Sequence, residues 1–186
     1  MIAMILALGF ALALILPMRG RFTDLREARF RLEWLLPLGL VLQVAGPRLG
    51  AALGQEHNET WTLVFWLLGS ALLLVACAMN WGRSGFRLAT LGVSLNIVVI
   101  LLNAGMPVSV SALEYLGLVT AEEQAASLTA LYHLQDGGTS VPVLGDVLPV
   151  PGPSVVRSIV SLGDLLLMVG IVVIVLDAGR ALARHH

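Results

Sequence analysis

Apolar residues run along this chain in long, nearly uninterrupted blocks, separated by short polar clusters rich in arginine. Windows near ~20 residues, the length a helix needs to cross a hydrocarbon layer, fall at 1–18, 34–53, 61–79, 87–103 and 158–177. The pattern therefore predicts five spanning helices. The fourth is short and passes into NAGMPVS, where Pro107 favours a helix end and Asn103 can satisfy freed backbone groups. The first window lacks the basic start of a signal peptide and leads directly into RGRFTDLREARFR, so it is expected to be a retained helix.

The connection between the fourth and fifth spans, 104–157, is far longer than the others, and long connections usually carry a function. Leu113, Leu116, Leu128, Leu131 and Leu134 recur at helix-like spacing, and Thr120 followed by Glu123 fits a capping box, which predicts a helix from about 121 to 135. The later VPVLGDVLPVPGPS, with Gly145, Pro149, Pro151, Gly152 and Pro153, reads as extended or turning chain. Together these segments predict a helical and proline-rich cap over the mouth of a single transmembrane domain, 1–186, of the all-α class.

Composition strengthens that picture. With 58% hydrophobic and 12% charged residues and a mean hydropathy of +0.89, the chain has about half the charge of a water-soluble domain. All eleven basic residues are arginines. If the first loop is cytoplasmic, nine of them (Arg19, Arg21, Arg26, Arg29, Arg31, Arg83, Arg87, Arg180 and Arg184) lie inside, and only Arg48 and Arg157 lie outside. That asymmetry predicts the N-terminus outside and the C-terminus inside. Trp34, Trp61 and Trp81 fall at span ends, where indoles anchor at the interface. The net charge of −1 offers no basic stripe, so nucleic acid is not an expected partner. Membrane lipids are.

The candidate chemistry is acidic. Leu-Gly-Asp occurs twice and sets Asp146 and Asp164 eighteen residues apart. An ionised carboxylate at the centre of a spanning helix costs about 2.5–3.5 kcal/mol on insertion scales, so one that occurs there needs a partner, water or a proton. If the last helix begins near Ser154 or Ser158, Asp164 lies roughly 9–15 Å below its outer end, at a rise of ~1.5 Å per residue. Arg157, seven residues earlier, is a candidate ion-pair partner; the bland alternative makes Gly163-Asp164 a helix cap. Two carboxyl groups meeting in a low-dielectric cleft do not both ionise, which leaves one acid and one base able to activate water.

Asn103, with Asn96 seven residues earlier, suits interhelical bonding or substrate contact, and His133 and Arg157 are further outer-side binding candidates. Cys77, the single cysteine, reads as a packed hydrophobe. His57 and His133 both lie outside the predicted spans, and no close His/Cys/Glu constellation is visible, so neither a cofactor nor a metal is expected.

The stretch from NAGMPVS through LYHL, LGDVLPVP and SIVSLGDLLLMVG resembles a family of bacterial multi-pass membrane proteins classified as a domain of unknown function (DUF5317). That resemblance implies a membrane fold and no activity. A second resemblance, over about 33 residues at the C-terminal end, is to lipoprotein signal peptidases, which are membrane aspartic endopeptidases. LGDVLPV and SLGDLLLMVG correspond to its two aspartate motifs, with Ser161 standing where that family has asparagine. This match implies a catalytic dyad of Asp146 and Asp164 and a lipopeptide substrate. The expected function is an accessory or binding component with an acidic outer-leaflet cleft, associating with a larger membrane complex. The alternatives are a membrane aspartyl hydrolase, and a proton or solute pathway gated by Asp164.

Overall fold

The computed structural model describes residues 30–52, 59–118, 131–153 and 157–183. The chain is mostly helical. Four long helices, α1 (Leu35–Ala52), α2 (Glu59–Met79), α3 (Ser84–Asn103) and α5 (Leu162–Ala183), form the bundle. Between α3 and α5 lie strand β1 (Met106–Val108), the short helix α4 (Val110–Tyr115), strand β2 (Tyr132–Leu134), a 3-10 turn at Pro142–Leu144, and strands β3 (Leu148–Val150) and β4 (Ser158–Val160). The Thr60–Met79 and Ser84–Asn103 segments are long and apolar enough to cross a membrane. The predicted first span, 1–18, lies outside the described residues.

Glycine sets how closely the helices approach. On α3, Gly85 and Gly92 are seven residues apart; on α5, so are Gly163 and Gly170. They meet in antiparallel order, Gly85 against Gly170 and Gly92 against Gly163. A Cβ on Gly85 would sit 2.7 Å from the Gly170 carbonyl oxygen, and one on Gly92 would strike that of Gly163. Small residues at such crossings let backbones touch, the usual basis of helix packing in lipid. The α1–α2 pair repeats the device at Gly39 and Gly69 and adds a hydrogen bond of 2.9 Å from Gln43 Nε2 to the buried Ser70 Oγ.

Two apolar clusters fill the remaining space. One gathers Cys77, Phe86 and Ala89 with Leu167 and Ile174 toward the α2–α3 turn. The other joins Val99 and Ile100 of α3 to Met106 and Leu131, so it ties bundle and cap together. Large apolar side chains also face outward along the helices, including Leu68 at 52% and Leu101 at 60% exposure, and Trp34, Trp61 and Trp81 are exposed near helix ends.

The cap is built on β1. Ala104, in the left-handed region at φ 53°, ends α3 by donating its N–H to the Ile100 carbonyl, and the chain turns directly into Met106. β2 pairs with β1 in parallel, setting Met106 opposite Tyr132, Pro107 opposite His133 and Val108 opposite Leu134. On the other edge of β1, Asp146 bridges to Val108. β3 and β4 form a separate antiparallel ribbon, Leu148 opposite Val160.

Three expectations are corrected here. The class is mostly helical, with four short strands among the described residues, rather than all-α. Residues 121–130 of the predicted outer helix lie outside the described residues, but 131–135 are not helical: Tyr132–Leu134 is strand, because β1 leaves backbone groups that need partners. The last helix starts at Leu162 and continues to Ala183, whereas the 158–177 window also swept in Ser158–Val160, which is strand β4.

Candidate functional site

The Ser-Leu-Gly-Asp at the head of α5 folds into a capping box. Ser161, completely buried, accepts the Asp164 backbone N–H on its Oγ at 2.9 Å, and Asp164 Oδ2 accepts the Ser161 N–H at 3.3 Å. Asn96 reaches across from α3 to close the ring. It accepts the Ser161 hydroxyl on Oδ1 at 2.9 Å and donates from Nδ2 to Asp164 Oδ1 at 2.7 Å. Because the serine hydroxyl donates to Asn96, the amide must turn its N–H to the carboxylate. Gly163 makes room for this: a Cβ there would strike Asn96 Oδ1.

Asp164 is thus the third residue of its helix, roughly 3 Å along the axis from Leu162 at ~1.5 Å per residue. Its position in the first turn also favours negative charge. The expected depth of roughly 9–15 Å is corrected, since the helix starts later than the apolar window. So is the expected pairing with Arg157. That guanidinium donates to the Leu116 carbonyl at 3.0 Å and, through Nε, to the Gly152 carbonyl at 3.4 Å, pinning the end of α4 to the proline-rich segment.

Asp146 is held by its backbone. Its N–H donates to the Pro107 carbonyl and its own carbonyl accepts the Ser109 N–H, both at 2.9 Å. Gly145 lies so close to the Pro107 carbonyl oxygen that a Cβ would strike it. The side chain is only 7% exposed, and Oδ1 is buried with no hydrogen-bond partner. Burial first, and then the negative charge of Asp164, push its carboxyl from 3.8 up to about 8. Tyr132, on β2, feels the same field: burial and then the charges of Asp146 and Asp164 push its phenol up to about 12. Asp146, Asp164 and Tyr132 therefore act on one another electrostatically, Asp146 as the carboxyl group raised mainly by burial and Asp164 as the one tied to neutral donors.

The other candidates lie elsewhere. Asn103 accepts the Ser140 N–H at 2.7 Å and donates to the Ser140 carbonyl at 3.0 Å and the Val99 carbonyl at 2.8 Å, so its amide fastens the cap loop to α3. His133 follows Tyr132 on the strand and lies against Gly105, where a Cβ would meet its Nδ1 at 3.1 Å. Among the described residues, no group of three His, Cys, Asp or Glu side chains is placed to hold a metal ion. The bonds of Asn96 to the head of α5 are the interhelical bonding its position suggested, whereas Ser161 figured in the sequence only as a departure from a motif and Tyr132 not at all. For Ser161 the signal was present as the Ser-x-x-Asp spacing.

The fold and site define a mostly helical protein with two helices able to cross a membrane, a strand-built cap that buries Asp146, and Asp164 fixed at the head of α5. The chain belongs to DUF5317, a family of unknown function, whose model matches residues 27–176, from before α1 into α5. No curated protein and no solved structure matches the chain.

Proposed function

We propose that this chain is a multi-pass protein of the bacterial inner membrane, with five spans, an outer N-terminus and a cytoplasmic C-terminus, acting as a binding component through its outer cap. The observation that carries this reading is the buried Asp146 Oδ1, which has no hydrogen-bond partner among the described residues. A native protein leaves such an atom without a partner where a water, ion or ligand group serves it. The membrane part rests on two apolar helices of spanning length, on the leucines and valines exposed along the helices, and on the arginine asymmetry. Membrane lipids, and a larger membrane complex, are the partners this reading supplies.

A hydrolase acting on a lipopeptide is the second reading. It is favoured by the split between Asp146, raised to about 8, and Asp164, fixed by Asn96 and Ser161; two carboxyl groups in unlike environments are how acid and base roles are assigned. Cleavage of a diacylated lipopeptide by the purified full chain separates the two. The binding reading expects no turnover by wild type. Turnover that disappears in both Asp146→Asn and Asp164→Asn would establish the hydrolase instead. Retention in membranes through alkaline carbonate extraction tests the membrane placement, and release into the supernatant would refute it.

A further inference from the structure

We propose that Arg31, Arg83 and Arg87, gathered at the α2–α3 turn, form a binding surface for an anionic phospholipid headgroup, on the membrane face away from the cap. This deepens the membrane-lipid reading above and rests on it. The turn lies at the opposite end of α3 from β1, where the cap begins.

Hydrogen bonds bring the three arginines together. The Asn80 amide clasps Arg31 by its backbone, accepting its N–H on Oδ1 and donating from Nδ2 to its carbonyl, both at 2.9 Å. The Asn80 carbonyl accepts the Arg83 N–H at 3.1 Å, and Arg87 follows one turn later, its N–H donating to the Arg83 carbonyl at 3.2 Å. The Arg83 guanidinium lies 4.8 Å from the centre of the Phe30 ring, which packs against Phe86 with ring centres 5.2 Å apart. One asparagine and one ring thus hold the segment before α1 beside the start of α3, with all three arginines exposed.

Charge decides the class of partner. Among the described residues no carboxylate pairs with these three guanidinium groups. Glu33 is exposed nearby in the chain, and Asp177 of α5 accepts the Ser84 hydroxyl at 3.4 Å, which leaves the arginines in excess. The chain's net charge of −1 hides a polarity: on the predicted inner side nine arginines face four acids, Asp24, Glu27, Glu33 and Asp177, and on the outer side two arginines face eight. Helix stability does not account for Arg83 and Arg87, because cations at a helix start oppose its dipole and the first turn of α3 holds no acid. A charge that merely orients the chain during insertion needs no clasp and no stacking ring. A guanidinium fork held in place suits phosphate oxygens, which it grips in pairs.

Position fixes the source of the phosphate. Thr60–Met79 and Ser84–Asn103, the two segments able to cross a membrane, meet at this turn, so headgroups lie at its level. Exposed Trp34 and Trp81 flank it, and indoles settle in that layer.

The purified full chain is reconstituted in phosphatidylcholine vesicles, and spin-labelled phosphatidylglycerol and phosphatidylcholine are compared by the share of each that the protein immobilises. Phosphatidylglycerol is expected to associate at least about fivefold more strongly, the factor one arginine supplies at an anionic surface. Arg83→Gln combined with Arg87→Gln should bring the two lipids within about twofold. Arg83→Lys keeps the charge but loses the fork and the flat stack on Phe30, and should lower the preference. Arg48→Gln removes an arginine near the far end of α1 and should leave it unchanged. Equal association of the two lipids with wild type, a comparison that needs no variant to fold, would overturn the proposal. So would a preference untouched in the double variant or lost equally in Arg48→Gln. A preference unmoved by Arg83→Lys would reduce the surface to diffuse attraction and overturn the site, and displacement of the lipid by glycerol phosphate at constant ionic strength would overturn the lipid as its occupant. Any of these results with the chain still retained through carbonate extraction refutes the headgroup surface alone, while loss of the chain from the membrane refutes the reading beneath it.

Discussion

Gly163→Ala is the smallest change that attacks the Asn96–Ser161–Asp164 ring. The new methyl would strike Asn96 Oδ1 and lie 2.7 Å from the Gly92 carbonyl oxygen, so either the amide or the α3–α5 approach must give. Overpacking of this kind costs about 1–3 kcal/mol. Displacing Asn96 also loses the hydroxyl bond from Ser161 and the bond to the carboxylate, about 0.5–1.5 and 1.5–3 kcal/mol. Replacing glycine within a helix returns at most about 1 kcal/mol. The net is a loss of about 2–7 kcal/mol of stability. The assay is equilibrium unfolding of the full chain in mixed micelles, run as a double-mutant cycle with Asn96→Ala. Because most of the clash is with the Asn96 side chain, Gly163→Ala should cost at least about 1 kcal/mol less in the Asn96→Ala background. A Gly163→Ala variant within about 0.5 kcal/mol of wild type, or two additive substitutions, would refute the ring as a coupled unit.

Three further outcomes follow from the same geometry. Asp146 binds its proton more tightly folded than unfolded, so the cap loses stability as pH rises from about 4 to 8 and is level on either side; Asp146→Asn should flatten this slope, read as hydrogen-exchange protection of the Asp146 and Ser109 amides corrected for intrinsic rate. Asn103→Ala should cost about 1–3 kcal/mol and selectively unprotect the 136–140 loop, since the Ser140 backbone loses both bonds; protection unchanged there would contradict the anchoring role. Gly92→Leu should separate α3 from α5 while sparing the Gly39–Gly69 contact, so cross-linking between α3 and α5 falls while that between α1 and α2 persists.

What the sequence made legible was governed by range. The α2 and α3 helices follow from apolar runs of the right length, and the turn out of α3 was visible at Asn103 and Pro107. Hydropathy cannot tell Ser158–Val160 from a helical turn, since Ile159 and Val160 suit both, so α5 was started too early and Asp164 placed too deep. Leu131 and Leu134 fitted a helical stripe, yet Leu134 lies in a strand, and Leu131 just before it, that is set by β1, twenty-odd residues away, which no local spacing reveals. The electrostatic influence of Asp164 on Asp146 is of the same kind. The repeated Leu-Gly-Asp raises the question, but where each carboxyl group lies depends on a bridge to Val108 and on the late start of α5. The seven-residue spacing of Gly85 with Gly92, and of Gly163 with Gly170, was readable as an antiparallel helix contact and went unused.

The central claim is that Asp146 stays a carboxylic acid near neutral pH because it is buried beside the Asp164 charge. Infrared difference titration of the full chain in lipid tests it. The account predicts a protonated carboxyl band with a midpoint near 8, missing in Asp146→Asn and shifted to lower pH in Asp164→Asn. A carboxyl titrating with the ordinary aspartates near about 4, or a midpoint unmoved by Asp164→Asn, would contradict it.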